Sequence, residues 1–504
     1  MASAPKEPES TQRIASDLLH DIITLRTGIA SEGRASYDGW KHQIARSRFA
    51  ASALNFAQYL AFRRDDLRPL QRRLMALGLS SLGRAEGHVL ANVDAVIAVL
   101  SRLASKSGPE PPFPSSHQFF RGERMLGRNV EEIFGTQASG RGFILVTLGP
   151  EAADDPDFLL RLGRAGMDCV RINCAHDGRA VWERMIANVR KAESTIGRRI
   201  RILMDIAGPK VRLAATATPP DRGRLLVGDD ILLCRDIALC PEGPGFKAAC
   251  APPQVLDGLK PGDPVSIDDG KLRGHVSREV SCGYLVHIEG GRQKGVKLQP
   301  ERGINFPGVR LNLDPLTGQD LEDLDFIAEH ADLAGYSFVE TAEDVAMLQQ
   351  ELAKRRPDWR KLGLVAKIET PRAVKNLPEI IVRAAGQQPL AVMIARGDLA
   401  VELGFTRLAE MQEEILWLCE AAHIPSIWAT QVLEGLVKKG VPSRGEMTDA
   451  AMAGRAECVM LNKGPNVLSA VATLDRLMRR MAEHQVKKTP MLRALHSWSE
   501  GDVP

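Results

Sequence analysis

The residues of this chain that could do chemistry come as short charged clusters at the ends of apolar runs. "MDIAGPKVRL" (Met204–Leu213) sets Asp205, Lys210 and Arg212 around one Gly-Pro turn. "KIE" supplies Lys367 and Glu369, and "ARGD" supplies Arg396 and Asp398. If the runs before them are adjacent strands, Glu369 and Asp398 end ~5 Å apart. Two such carboxylates suit Mg²⁺ or Mn²⁺, which completes its shell with water and substrate oxygens. A salt bridge to Lys367 or Arg396 is the alternative reading of either carboxylate. Arg171, Lys210, Arg212 and Lys367 add four cations, a repulsive set unless an anion joins them. A phosphoryl group is the natural anion, since its transfer depends on positioning and charge neutralisation. No GxxxxGK[ST] loop is present, so a nucleotide would be held in some other way.

Elements able to position these groups follow from periodicity. From Gly142 onward, strand-length apolar runs alternate with helical segments: "FILVTL", "CVRIN", "RILMD", "LAGYSF", "LVAKIE", "AVMIAR", "PSIWAT" and "CVMLN". Eight strand–helix units predict an α/β fold, a (β/α)8 TIM barrel whose working side chains sit at the C-terminal strand ends. Those ends carry Thr147, Arg171 and Asn173, Asp205, Ser337, Lys367 and Glu369, Arg396 and Asp398, Thr430, and Asn462 with Lys463. Strand ends are often polar, so any one of these has a bland explanation. All eight together do not. The long interval between the third and fourth runs is rich in Gly and Pro and alternates with period two, as in "PVSIDDGKLRGHV". It predicts an inserted small β-barrel domain over residues 214–307. The barrel then occupies 142–213 and 308–484, with a tail at 485–504.

Before the barrel, residues 1–105 read as an all-helical region. "IASDLLHDIITL" sets Ile14, Leu18, Leu19, Ile22 and Leu25 on one face, and a second helix runs roughly Ile44–Arg63. Residues 106–141 hold a linker, "SKSGPEPPFPSS" (Ser105–Ser116), and a lead-in helix near Asn129–Phe134. Lys+Arg 66 against Asp+Glu 63 leaves a charge of +3, too balanced for a nucleic-acid or membrane partner. The N-terminus lacks signal-peptide order, no run reaches membrane-spanning length, and the eight cysteines form no CxxC pair. These features point to a reducing, cytoplasmic setting.

At the charged clusters the sequence resembles the pyruvate kinase family. "VRINCAHD", "DIAGPKVR", "KIE", "ARGDLAVE", "WATQVLE" and "SRGEMTDAA" match the family's segments in order, and "IDDG" and "RGINFPG" resemble the ends of its lid domain. The resemblance spans about Gly142–Ala482. It implies phosphoryl transfer from phosphoenolpyruvate to ADP, giving pyruvate and ATP. Glu369 and Asp398 would hold the divalent metal. Lys367 would neutralise the phosphoryl group in flight, with Arg171 and Arg212 against it. Asn173 and Asp205 would lie at the substrate site, and the Gly397–Asp398 backbone at the substrate carboxylate. Thr430 would lie beside the enolate carbon that is protonated. His176 and Asp269 would lie on the nucleotide side, under a closing lid.

Departures from the family pattern are as informative. Ala175 replaces a serine that binds potassium, and lysine at 210 is the residue usual in members that work without potassium. A tethered ammonium supplies the same unit charge, so potassium independence is expected. Arg302 and Ala400 replace a lysine and a glycine. "MLNKGPN" (Met460–Asn466) replaces a Ser-Gly-Glu-Thr stretch tied to proton delivery. The family's C-terminal effector domain is missing, so sugar-phosphate activation is not expected. Two other readings stay open: a diverged, non-catalytic binding or regulatory protein, and another Mg²⁺-dependent barrel acting on phosphoenolpyruvate or pyruvate. A homo-oligomer is compatible with all three.

Overall fold

The computed structural model describes residues 11–104, 112–137, 140–240 and 245–491. The linker segment Ser105–Pro111 and the tail beyond Met491 lie outside the described residues. Eight parallel strands close into a barrel: β1 (Phe143–Thr147), β2 (Cys169–Asn173), β3 (Arg201–Asp205), β4 (Leu333–Tyr336), β5 (Gly363–Ile368), β6 (Leu390–Ala395), β7 (Ser426–Ala429) and β8 (Cys458–Leu461). Each expected apolar run supplies one strand. Neighbours in sequence are neighbours in the barrel, and β8 pairs with β1. Leu145, Cys169, Leu203, Val365, Met393, Ile427 and Met460 fill the interior, while alternate residues pack outward on the helices. The lead-in helix is longer than expected, Arg121–Phe134. Its last turn plugs the barrel floor, with Ile133 and Phe134 joining the interior core and Phe134 stacked on Phe143 at 5.2 Å.

Between β3 and β4 the chain builds a seven-stranded sheet from Arg212 to Asn305. A bridge between Arg212 and Gly303 brings its first strand to its last, giving a barrel-like lid with its own core. The first lid strand is Arg212–Ala217, two residues earlier than expected, so Arg212 belongs to the lid. The N-terminal region is helical as expected, led by Thr11–Trp40 and Ser47–Phe62. Leu18, Leu19 and Ile22 are buried, and their core is continuous with that of the barrel helices. Gly33 permits the close approach of these two helices, since a Cβ there would sit 2.8 Å from the Gln58 side chain. The expected tail begins with a hairpin instead, Gln485–Val486 pairing with Thr489–Pro490. All eight cysteines are free. Among the described residues no helix is long and apolar enough to cross a membrane.

Candidate active site

The C-terminal strand ends form a buried lattice of cations and carboxylates. Arg171 on β2 donates from Nε to Asp205 Oδ2 at 2.7 Å and from Nη1 to Thr147 Oγ1 at 3.2 Å. Lys367 on β5 donates to Ser337 Oγ at 2.6 Å and lies 3.1 Å from Glu369 Oε1 and 3.5 Å from Asp205 Oδ2. Ser337 in turn donates to the Ile206 carbonyl at 2.7 Å. The Phe338 N–H donates to Glu369 Oε2 at 2.6 Å. Glycine at 335 on β4 makes room for this, since a Cβ there would meet Asp205 Oδ1 at 2.2 Å. That oxygen is buried and has no hydrogen-bond partner among the described residues.

A second group surrounds the short helix Arg396–Leu403 that follows β6. Lys210 donates to Asp398 Oδ1 at 2.7 Å. Burial works against the Lys210 ammonium, but Asp398, Glu369 and Asp269 outweigh it and raise its pKa. The Gly397 N–H donates to Thr430 Oγ1 at 2.8 Å. Arg396 is turned away from the mouth, bidentate to Asp449 at 2.5 and 3.0 Å and stacked over Trp428. Backbone strain gathers here: Phe338, Thr430, Gln431 and Leu433 all have φ between 48° and 64°. Non-glycine residues hold that conformation only where surrounding structure fixes it, which is common at functional sites.

The three residues of the opening turn therefore part company. Asp205 serves Arg171 and Lys367, Lys210 serves Asp398, and Arg212 faces Glu301 of the lid at 4.0 Å. His176 sits near Arg212, Arg171 and Lys463; burial first, then those cations, lower its pKa. Asn173 closes the turn after β2 by accepting from the Ala175 N–H at 3.3 Å. Asp269, in the lid with φ 54°, faces Lys210. Sequence reasoning missed the residues behind these groups. Asp320, fully buried, accepts from the Gly208 N–H at 3.1 Å and so pins the Gly-Pro turn. Its signal was the capping box "TGQD", in which Thr317 and Asp320 bond reciprocally. Asp449 lies within "SRGEMTDAA", one of the segments that resemble the family, but spacing assigns it no role.

The donor set fits a divalent cation completed by substrate. Among the described residues no group of three or more His, Cys, Asp or Glu side chains converges on one point. Glu369 and Asp398 face each other instead: burial foremost, with the Asp398 charge behind it, pushes the Glu369 carboxyl up. A buried Glu369 carboxylate beside the half-buried Asp398, each countered here by a lysine, is a site that a hard cation relieves.

Comparison with known proteins decides the family. The family model described as "Pyruvate kinase, barrel domain" matches residues 140–465. The chain belongs to the pyruvate kinase family. A pyruvate kinase of Agrobacterium vitis is 34% identical over 359 residues, covering 68% of this chain and 69% of that protein. One from Mycobacterium intracellulare is 31% identical over 368 residues, covering 70% and 72%. The crystal structure of a pyruvate kinase from Cryptosporidium parvum shares the fold, with a TM-score of 0.60, 24% identity, and coverage of 71% and 70%. The helical region lies outside the span that the family model matches. Within the span, Asn462 at the end of β8 donates to Glu434 at 3.1 Å, and Arg302 of the lid approaches Asp268 at 3.4 Å.

Proposed function

We propose that this chain transfers the phosphoryl group of phosphoenolpyruvate to ADP, giving pyruvate and ATP. What supports this most is the Lys367 ammonium, held between Asp205 and Glu369 beside a fixed Arg171. Such preorganised cations need no rearrangement as a phosphoryl group leaves one oxygen for another. Arg171 and Arg212 bind that group from two sides, one from the barrel and one from the lid. Glu369 and Asp398 would hold a divalent cation, Mg²⁺ or Mn²⁺, which supplies charge neutralisation at phosphoryl and enolate oxygens. Lys210 then has to release Asp398. Gly397, at the N-terminus of its helix, offers an N–H to the substrate carboxylate in place of Thr430 Oγ1. Thr430 so freed stands beside the enolate carbon, and Asn173 and Asp205 position the phosphoryl side. His176 and Asp269 take the nucleotide as the lid excludes water. The free thiols fit a cytoplasmic setting.

Potassium independence is part of the same reading. Lys210→Glu is expected to lower turnover about a hundredfold, the scale of one lost charge contact in a dry site. Added potassium should rescue it poorly, and Ala175→Ser in that background should improve the rescue. Tenfold activation of the unaltered protein by potassium would sink the substitution argument.

The end of β8 favours a second reading, a diverged binding protein, because Asn462 and Lys463 stand where proton-delivering groups are expected. Pyruvate formation from phosphoenolpyruvate, measured with and without ADP, separates the two. ADP-dependent release supports transfer; tight phosphoenolpyruvate binding with no release supports the diverged reading.

A further inference from the structure

At the end of the barrel opposite the mouth, a cavity of about 680 Å³ lies between the helical region, the barrel floor and the C-terminal hairpin. The hairpin turn thrusts two lysines into carboxylates there: Lys487 pairs with Glu457, and Lys488 with Glu86. Lys487 takes left-handed backbone, φ 53°, to do so. A third carboxyl, Glu420, lines the same cavity at the end of the helix Phe405–Ala421, and no described residue donates a hydrogen bond to it. Glu86 is only 3% exposed, yet its Oε2 has no hydrogen-bond partner among the described residues. With Glu123 on the same wall, four carboxyls thus face the two ammoniums and the Arg84 guanidinium.

Of the guanidiniums on this wall, the exposed Arg84 has no carboxylate partner among the described residues, and the other two are engaged. Arg455 pairs with Glu413 at 2.7 Å, and Arg141 with Asp168 and Asp475 at 2.8 and 2.5 Å. A buried carboxylate without a counter-charge is costly, and it resolves by taking a proton or a cation. Burial, aided by Glu86 and Glu457 and opposed by Lys487 and Lys488, holds the Glu420 carboxyl up at about 7. Much of the remaining wall is apolar, including Phe120, Phe143, Met478 and Val486. The volume falls in the range of small-molecule sites, and junctions between domains are where such sites gather.

We infer that this cavity binds a small organic cation, an ammonium or guanidinium on a compact apolar body, with Glu420 as its counter-charge and the Glu86 carboxylate, closed off just behind the wall, adding to the negative potential. An anion is disfavoured because each lysine already holds a carboxylate that the anion would have to displace, which leaves it only the exposed Arg84 at the rim. The ligand lies between the wall of the helical region, Arg84–His88, and Glu420 of the barrel.

The intact protein is titrated at pH 8 with benzylamine, with benzyl alcohol as neutral isostere and inorganic phosphate as anion, by calorimetry and ligand-observed NMR. Benzylamine should bind saturably, and the other two should not. Glu420→Gln should weaken it about tenfold, the loss of one charge-assisted contact. Lys487→Ala, which deletes a tethered ammonium, should tighten it, and the amine should restore stability that this variant loses. Equal binding by wild type and Glu420→Gln would overturn the inference. So would equal binding of alcohol and amine, no saturable binding of the amine, or phosphate binding that Lys487→Ala abolishes. Turnover enters none of these measurements, so failure of the phosphoryl-transfer reading would leave the result intact.

Discussion

The lid and the helical region are both additions to one barrel, and they are attached in opposite ways. The lid encloses its own buried cluster, from Val211 through Leu272 and Val286 to Phe306, and joins the barrel at two chain crossings. The helices share a single core with the barrel's outer layer, in which Phe56 and Val93 belong with Leu416 and Val432. Polar ties repeat the pattern. The N–H groups of Ala45 and Arg46 both donate to the Gly386 carbonyl at 2.8 Å, and Asn55 bridges the Glu86 and Ala421 carbonyls at 2.8 Å each. His423, after the helix Phe405–Ala421, joins Ser52 Oγ to the Gly87 carbonyl at 2.9 Å. A body with its own core can move as a unit, whereas one that shares a core cannot leave without opening it. Chemistry belongs to the lid side, and stability to the helical side.

The largest test of that division is at the mouth. Glu369→Gln and Asp398→Asn should each lower phosphoryl transfer about a thousandfold or more, as losses of transition-state charge stabilisation do. Thermal midpoints should move by only a few degrees, since neither carboxylate braces a core. Near-normal turnover in both variants would remove the mouth from the mechanism.

Truncation of the two cores comes next. Phe56→Ala, at a site with no exposure and stacked 6.0 Å from Trp40, should cost about 4 kcal/mol and lower the main unfolding transition. Activity per folded molecule should be unchanged. Val286→Ala in the lid should instead lower a separate, earlier transition. One shared transition shifting equally in both variants would mean that the lid is not an independent unit.

How much of this was legible in the sequence depends on the range of the interactions involved. The eight barrel strands announce themselves because each is a local apolar run closed by a polar residue, and β2 and β3 match their runs residue for residue. The lid boundary slipped by two residues because Arg212 pairs with Gly303, far along the chain. From sequence the C-terminal hairpin reads as a tail, because its turn, Lys487–Lys488, has no glycine or asparagine and is held by Glu457 and Glu86 from elsewhere. In the site, "KIE" and "ARGD" name residues that do meet at the mouth. That Arg396 turns away to Asp449 is a long-range fact, and spacing alone could not distinguish it from Lys367.

A pH measurement sharpens the helical side. Glu420, near 7 against an ordinary 4.5, favours the folded state most when protonated; its contribution is full below pH 4.5 and is lost as pH rises through 7. His423 is buried neutral, its pKa lowered by burial to about 4 from 6.5, so its contribution is present above 6.5 and lost as pH falls through 4. Each is worth about 3 kcal/mol, and over pH 4.5–6.5 they oppose one another. Glu420→Gln removes one arm. Relative to wild type, that variant should gain about 3 kcal/mol between pH 4.5 and 7.5, read from denaturant unfolding at each pH. A difference that stays constant across that window would mean that the junction does not hold the Glu420 carboxyl up.

The smallest expected effect probes the hinge of the lid. Asn305, on its last strand, donates to Glu402 Oε1 at 3.0 Å. Glu402 lies one turn beyond Asp398 on the helix Arg396–Leu403, so this bond ties the closing element to the helix that carries a proposed metal carboxylate. Such a bond contributes about 1 kcal/mol, a factor of about five in a two-state equilibrium. If the lid moves as a unit, Asn305→Ala should raise the apparent KM for the nucleotide by about that factor, because a smaller fraction of molecules is competent to bind it. The main thermal transition should not move. Glu402→Gln keeps an oxygen able to accept from Asn305 and should behave nearly as wild type. An unchanged KM in Asn305→Ala would show that lid position is set elsewhere, with the Lys210–Asp398 bond, in the segment that leads into the first lid strand, as the next contact to break.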